Sequence, residues 1–563
     1  MENNNTEVTK GPKTEGVAAL KKIHMSPMRL GFLLYCMVAA GAFGIEDMVC
    51  TSGPGLTIVM LIAFAIIWAH PISQLCSELS VLMPGEGGIY VWVKETMGEF
   101  WGFCVGWWET LSIYLSISAF MVLVVDYASG LIAPLQDPTC AFIVKFCLVA
   151  IFTIINLLGL SEVSWVSTVL SILILIAFAA VTVVGFTHWQ YNPFEPFTPE
   201  GQSIVDSLGG SVCIAVWMYC GYECVSNMAG ELQNPEVIPK GFRFIMPIIA
   251  LTYILPTMAG VAAIGQWEDW GTDGVGYGDV MSQCLGYGWG VAFIAIAIIS
   301  QMAIFNSYIA AGSRGFFVLA DDKLCPKFLV KTSKNRGVPV YSILLLALVT
   351  IIMMNFDFET IIIIITPLTL IIYMVIGFAL LKARKAFPVE ERTSWYIPNN
   401  KMAVIYSIVP MVIAVIALLV NGTEYFLLGF VSIGSGIVAY VMFKWIYKGL
   451  YAIDPERHPL NPKTKLAKGD VQRIGGFIVL FGLLAFFGTF FLAWYEGDWG
   501  PEYYLETYGS GLISNFWLMI KVGRIGGLIA VVVGAILYFF GKKVDPIDWH
   551  GTGDWGVWKS DRT

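Results

Sequence analysis

Charge is scarce in this sequence. Asp, Glu, Lys and Arg make up 13% of its 563 residues, and hydrophobic residues make up 57%, whereas about 25% charged residues is usual in a soluble domain. So few charged side chains leave too little polar material to cover a surface that faces water. The net charge of −8 also gives no basic surface for nucleic acid. The composition therefore argues against a water-soluble enzyme, a disordered chain and a nucleic-acid-binding protein, and it predicts an integral membrane protein.

Metal-binding and redox motifs are missing as well. The 11 Cys are scattered, with no CxxC pair and no Cys/His cluster at zinc spacing. Most of them, such as Cys36, Cys76 and Cys104, fall within apolar runs, where cysteine is typically a small buried hydrophobe. We therefore expect no metal, no cofactor and no catalytic residue.

Long apolar runs, by contrast, are abundant. Crossing a hydrocarbon core of about 30 Å takes about 20 mostly apolar residues in a helix. Fourteen runs of this kind are present, and the first and sixth are interrupted near their centres. They lie near residues 29–50, 57–83, 99–126, 139–159, 163–187, 206–229, 243–264, 287–312, 338–355, 359–381, 402–420, 424–446, 474–494 and 523–541.

The basic residues predict how these spans are oriented. With a cytoplasmic N-terminus, fourteen spans place all of the 33 basic residues on the cytoplasmic side except Lys145, Lys521 and Arg524. The positive-inside rule then predicts cytoplasmic N- and C-termini in a cell (plasma or inner) membrane. The predicted outer loops 265–286 and 495–510 hold acidic and aromatic residues and no Lys or Arg. They are interpreted as an aromatic belt, or alternatively as an acidic vestibule that attracts cationic substrates.

Two spans are interrupted at matching positions. The first reads LLYCMVAAGAFGIEDMVCTSGPG, with Gly41, Gly44 and Glu46, and the sixth reads SVCIAVWMYCGYECVSNMAGELQNP, with Gly221 and Glu223. Each opens a block of five spans. A pair of glycine-interrupted segments at corresponding positions of two halves is typical of the substrate site of a secondary transporter.

The chemistry of an interrupted helix suggests a ligand. Unwinding a helix in lipid exposes backbone groups at a cost of several kcal/mol each, so the unwound backbone must line a cavity. The freed N–H groups and the helix dipole favour an anion such as a carboxylate, and the freed carbonyls accept from an ammonium group. An α-amino acid carries both groups on one carbon. The alternative is a pair of kinks that serve packing alone.

Four stretches carry a resemblance to a known family. They are the interrupted first span, IIWAHPISQLCSELSVLMPGEGGIYVWVKETMGEFWGFCVGWW, GYECVSNMAGELQNPEVIPKGF and AAGSRGFFVLADDKLCPKFLVKTSKNRGVPV. In this order they resemble the amino acid–polyamine–organocation superfamily across about residues 28–450. Within it, the chain resembles bacterial amino acid permeases and antiporters of the glutamate/GABA antiporter type. The Gly-Ile-Glu-Asp string also resembles the polyamine–proton symporters.

The resemblance implies an all-α polytopic fold. This is a leucine-transporter-type 5+5 inverted repeat with 12 core helices, to which the sequence adds two C-terminal helices, giving 14 transmembrane helices. The predicted divisions are a cytoplasmic N-terminal tail (1–28), a first five-helix repeat (29–205), a second five-helix repeat (206–385), helices 11 and 12 (386–446), a cytoplasmic linker (447–472) and a two-helix extension with a tail (473–563).

The function that the resemblance implies is secondary active transport of an amino acid by a permease or an amino acid/amine antiporter. Alternating access would move a substrate held between the interrupted spans 1 and 6, with proton or sodium coupling, in a monomer or homodimer. The predicted fifth span holds no Lys, so the lysine-based proton coupling of some relatives is not expected. The alternatives are a polyamine–proton symporter and a non-transporting membrane receptor or scaffold.

The predicted site residues follow from the two interruptions and from polar positions in mid-span. Trp217 lies one helical turn before Gly221, where relatives have an aromatic lid. Gating or proton coupling is assigned to Glu223, Glu46 and Trp217. Packing is the alternative for the aromatic residues, and structural pairing is the alternative for the acids. The predicted substrate-binding residues are Gly41, Ala42, Phe43, Gly44, Ile45, Glu46, Glu109, Trp217, Tyr219, Gly221, Glu223, Asn306 and Thr366.

Overall fold

The computed structural model describes residues 16–547 except 40, 203, 272–274, 357 and 512, and it omits the side chains at 205, 206, 209, 210, 213, 358–360, 362, 363 and 391. Most of the predicted N-terminal tail and the end of the C-terminal tail therefore lie outside the described residues. The helices are α1 Pro27–Val38, α2 Glu46–Ser52, α3 Pro54–Phe64, α4 His70–Leu82, α5 Gly88–Met97, α6 Glu99–Ser129, α7 Pro138–Leu158, α8 Leu160–Thr187, α9 Ile204–Met218, α10 Val237–Ile264, α11 Tyr277–Leu285, α12 Tyr287–Asp321, α13 Val340–Met353, α14 Phe358–Ala386, α15 Asn400–Val420, α16 Thr423–Tyr447, α17 Asp470–Tyr495, α18 Gly500–Tyr508 and α19 Phe516–Val544.

Eleven helices of the described chain are long and apolar enough to cross a membrane. One of them runs through α3, a π-helical turn at Ala65–Ala69 and α4. The shorter apolar helices α1 and α13 add to these. Each of the apolar runs found in the sequence overlaps at least one helix, so hydropathy located the helical segments well.

Several helices begin where the local sequence dictates. Ser26 accepts a hydrogen bond from the backbone N–H of Arg29 and is followed by Pro27, and Asp137 caps α7 in the same way before Pro138. Proline suits the first helical position because its missing N–H would have no partner there. A side-chain oxygen just before it accepts from one of the unpaired amides of the first turn.

Buried ion pairs join several helices to the segments that connect them. The Arg314 guanidinium is 2% exposed and donates to Glu231, with its Nη2 2.6 Å from Oε1. Glu78 pairs with both Arg384 and Arg392 at 2.5 and 2.6 Å. Glu78 and Glu231 are therefore paired structurally with arginine. These acids serve the scaffold, since neither lines the cavity described below.

The two C-terminal helices α17 and α19 approach each other closely through glycine. A Cβ at Gly482 would lie 2.7 Å from the carbonyl oxygen of Gly527, and a Cβ at Gly527 would lie 2.8 Å from the carbonyl oxygen of Gly482. Small residues allow helix backbones to approach in this way within a membrane. The pair also contacts α16 at two levels, because the Tyr440 hydroxyl donates to Asp470 and the Thr423 hydroxyl donates to Glu496.

Glu496 connects the C-terminal extension to the start of α16. Its Oε1 accepts from the Thr423 N–H at 3.1 Å, and its Oε2 accepts from the Thr423 hydroxyl at 2.5 Å. The side chain is fully buried next to Glu424 and Tyr504. Burial raises the pKa of Glu496 from 4.5 to about 7, in spite of the hydrogen bonds that lower it.

This raised pKa predicts that Glu496 makes the folded state less stable as pH rises. The folded protein holds this proton more tightly than the unfolded chain, so its stability falls between about pH 4.5 and pH 7 and then levels off. From pH 5.5 to pH 8 the expected loss is about 2 kcal/mol. Glu496→Gln keeps an acceptor for Thr423 and removes the titration. Thermal unfolding in detergent at both pH values should show a smaller fall for this variant, and equal falls would contradict the prediction.

Candidate functional site

The first helix interruption separates α1 from α2. Gly41 has φ of +116° and Gly44 has φ of +91°, a region that residues with a Cβ rarely adopt. A Cβ at Gly41 would also lie 2.5 Å from the ring of Phe178. The glycines are therefore required by the turn itself, and the interruption predicted from the sequence is present in the residues that the structure describes.

The second interruption lies between α9 and a 3₁₀ segment at Glu223–Glu231. Gly221 has φ of +100°, and a Cβ there would lie 2.7 Å from the Met37 carbonyl oxygen of α1. The second interruption thus packs against the last turn of α1, directly before the first interruption. The Tyr253 hydroxyl of α10 lies 3.2 Å from the Val38 carbonyl oxygen and 2.8 Å from the Met218 carbonyl oxygen. One side chain therefore serves freed carbonyls of both segments.

A cavity of about 320 Å³ lies against both interruptions. Its walls are formed by α1, α2, α6, α9, α12, α14 and α16, and by the turns that follow Val38, Met218 and Val420. From Glu109 to Tyr127 the wall follows about five turns of α6, or about 27 Å. The cavity is therefore elongated. Of the residues predicted from the sequence, it brings together Phe43, Gly44, Glu109, Trp217, Glu223 and Thr366.

Three carboxylates lie among the polar residues of the cavity wall. Glu223 accepts from the Tyr373 hydroxyl at 2.6 Å, and Glu109 accepts from the Asn227 side-chain amide at 2.7 Å. Both acids are buried, and Asp47 on α2 also lines the cavity. None of the described lining residues is Lys, Arg or His. A site with three acids and no base among them favours a ligand that carries positive charge.

Tyr373 joins the second interruption to the scaffold. While its hydroxyl donates to Glu223, its oxygen accepts from the Gly221 N–H at 3.2 Å. The freed amide and the carboxylate are thereby held by one side chain of α14. Sequence reasoning did not identify Tyr373 or Tyr253, because each contacts the interruptions from a distant helix.

Other residues predicted for the site lie outside the cavity lining. The Tyr219 hydroxyl donates to the Leu61 carbonyl at 3.1 Å, and Asn306 accepts from the Asn156 side chain at 3.1 Å. Glu46 turns back to accept from the Gly44 N–H at 2.8 Å. The remaining four are buried in the turns themselves: Gly41, Ala42, Ile45 and Gly221.

The cavity also contains polar residues that were absent from the predicted site. Asp47, which follows Glu46 in the first turn of α2, lies in the wall. Thr369 follows the predicted Thr366 by three residues on α14, and Gln301 precedes Tyr308 by two turns on α12. Residues at these spacings share one helix face. Helical periodicity from Thr366 could therefore have found Thr369.

Comparison with known proteins gives a family match over most of the chain. Residues 30–450 match the family model described as amino acid permease. A probable polyamine transporter of Arabidopsis thaliana is 27% identical over 440 residues, covering 76% of this chain and 87% of the relative. The gamma-aminobutyric acid permease of Bacillus subtilis (strain 168) is 23% identical over 460 residues, covering 76% of this chain and 93% of the relative.

A solved structure shows the same kind of fold. The crystal structure of MhsT in complex with L-phenylalanine matches with a TM-score of 0.51 and 14% sequence identity, over 71% of this chain and all of that chain. At this identity the match concerns the fold alone. It supports the expected helical architecture for the core of the chain.

Proposed function

Because the chain belongs to the amino acid permease family, we propose that it is a secondary transporter of small organic cations with amino groups. The members of this family are transporters and not enzymes. The observation that carries the proposal is the cavity between the two interruptions, lined by Asp47, Glu109 and Glu223 and by no described basic residue. Glu109 and Glu223 are buried, and a buried charged group is costly in a membrane, so a cationic substrate is a natural partner of these two acids.

Polyamines are the first candidate substrates. A linear polyamine carries several separated charges, and the cavity wall offers carboxylates on three different elements along an elongated space. The similarity to a probable polyamine transporter supports the same substrate class.

Amino acids are the second candidate substrates. The similarity to the gamma-aminobutyric acid permease favours them. Interrupted helices also offer backbone groups for both ends of an amino acid. A basic amino acid would satisfy the acidic cavity as well as these backbone groups.

The proposed mechanism is alternating access. Spans 1–5 and 6–10 would form the inverted repeats, spans 11 and 12 would complete a core of 12 helices, and α17 and α19 would form the added pair within the domain limits given above. Substrate would bind between the interruptions while one bundle of helices rocks against the other. Proton or sodium coupling, both termini in the cytoplasm and a plasma or inner membrane location belong to the same proposal.

Reconstitution tests this function directly. Purified protein in liposomes, preloaded with an unlabelled compound, should accumulate the same compound in labelled form by counterflow. The screen should include putrescine, spermidine, arginine, ornithine, γ-aminobutyrate and phenylalanine, with protein-free liposomes as the control. We expect accumulation of at least one cationic compound. Accumulation of neutral amino acids alone would contradict the cationic substrate class, and no accumulation of any compound would contradict transport.

A further inference from the structure

The Glu46 side chain occupies the first interruption. Its Oε2 accepts from the Gly44 N–H at 2.8 Å, and the residue is 5% exposed. A Cβ at Gly276 would lie 3.5 Å from its Oε1, so the loop before α11 covers the other oxygen. Glu46 does not line the cavity, whereas its neighbours Gly44 and Asp47 do. The acid is therefore turned onto the unwound backbone, where it binds the amide of the cavity-lining Gly44.

This contact changes which ligand the interruption can accept. A free backbone amide in a turn of this kind can donate to an anion. The Gly44 amide, however, already donates to a carboxylate that is part of the chain. A substrate carboxylate at the same place would have to displace Glu46 or lie beside it. Two carboxylates at close range in a poorly hydrated site repel each other strongly.

The ammonium end of a substrate meets no such obstacle. Asp47, Glu109 and Glu223 line the cavity next to the interruption. An amine that has no carboxylate can pair with these acids and leave the Glu46–Gly44 contact intact. The same cavity would thus distinguish an amino acid from the amine that remains when its carboxyl group is removed.

We propose that Glu46 is a specificity-determining residue, whose carboxylate takes the place that the carboxylate of an α-amino acid would need. The protein then selects diamines and related amines over the parent amino acids. The inference rests on the proposed transport of organic cations and narrows their class. Putrescine and ornithine differ only by this carboxylate, and so do agmatine and arginine.

Binding of these matched pairs tests the proposal. Competition with a labelled polyamine should be measured on the purified full-length protein for both pairs. We expect the wild-type protein to prefer putrescine over ornithine, and agmatine over arginine, by at least tenfold. Glu46→Ala leaves the Gly44 amide open and should reduce both ratios at least tenfold, mainly by improving amino acid binding. Glu46→Gln keeps an acceptor for the amide without the charge and should give intermediate ratios.

Asp47→Asn is the matched contrast, because it removes the neighbouring charge from the cavity wall. It should weaken putrescine and ornithine together and leave their ratio unchanged. If Glu46→Ala does not yield folded protein, Glu46→Gln tests the proposal, and its preference for putrescine over ornithine should be smaller than that of the wild-type protein. A wild-type protein that binds ornithine as tightly as putrescine overturns the inference and leaves cation transport standing. Equal losses of both ligands in the Glu46 variants also overturn it, whereas a wild-type protein that binds no cation overturns the proposed function itself.

Discussion

Replacing Gly44 with Leu is expected to abolish substrate uptake. Gly44 has φ of +91° and lines the cavity, and a Cβ there would point at Trp217, 3.4 Å from its ring. A leucine side chain would extend further into the space between the two interruptions. The left-handed backbone adds a strain of about 1–2 kcal/mol for a residue with a Cβ. Uptake by the reconstituted variant, measured with a substrate that the wild-type protein carries, checks this expectation.

Two further variants separate occlusion from misfolding. Gly434→Leu introduces the same side chain on α16, where a Cβ has open space around it, and should transport normally. Gly44→Ala adds only a Cβ at ordinary contact distance from Trp217 and should retain part of the uptake. All three proteins should be compared for yield and for elution as a single species. Undiminished uptake by a well-folded Gly44→Leu protein would show that the substrate does not pass this interruption.

The positions of the apolar helices could be predicted from hydropathy, and the positions of the interruptions could be predicted from glycine. A membrane-crossing helix must be apolar over about 20 residues, so its position is recorded locally in the sequence. Interruptions also leave a local record, because Gly41, Gly44 and Gly221 all adopt positive φ values that favour glycine. The positions of both interruptions could therefore be read from the chain alone.

The partners of the interruptions could not be predicted in this way. Tyr253 contacts the Val38 and Met218 carbonyls from α10, and Tyr373 contacts Glu223 from α14. Each of these contacts joins residues that are distant in sequence, so it depends on how whole helices pack. Hydropathy and spacing give no information on such packing.

The direction in which a side chain points could not be predicted from the local sequence either. Glu46 and Asp47 are adjacent acids at the start of α2, and nothing in their spacing tells which one faces the cavity. In the structure Asp47 lines the cavity, and Glu46 turns back to the Gly44 amide. The backbone of the turn decides this, because the positive φ at Gly44 presents its N–H to the Glu46 carboxylate. This difference bears on function, because Asp47 can contact a ligand in the cavity, whereas Glu46 binds the backbone of the protein itself.

The second large effect is expected at Glu223. This acid is buried in the cavity wall, where a substrate ammonium group could pair with it directly. A hydrogen bond to a charged group contributes about 1.5–3 kcal/mol. Glu223→Gln should therefore weaken binding of a cationic substrate about 10- to 150-fold, at 1.4 kcal/mol for each factor of ten. Equilibrium binding to the purified variant, measured beside the wild-type protein, checks the expected loss.

Tyr373→Phe provides the control that separates charge from structure. Gln at position 223 still offers an oxygen to the Tyr373 hydroxyl, so the contact between α14 and the second interruption persists. Phe at position 373 removes that contact and the acceptor for the Gly221 N–H, but it keeps the carboxylate. If Glu223 binds the substrate by its charge, Glu223→Gln should lose more affinity than Tyr373→Phe and should remain as thermally stable as the wild-type protein. The reverse order, with Tyr373→Phe the weaker binder, would assign Glu223 to the support of the interruption and leave Glu109 and Asp47 as the cation-binding acids.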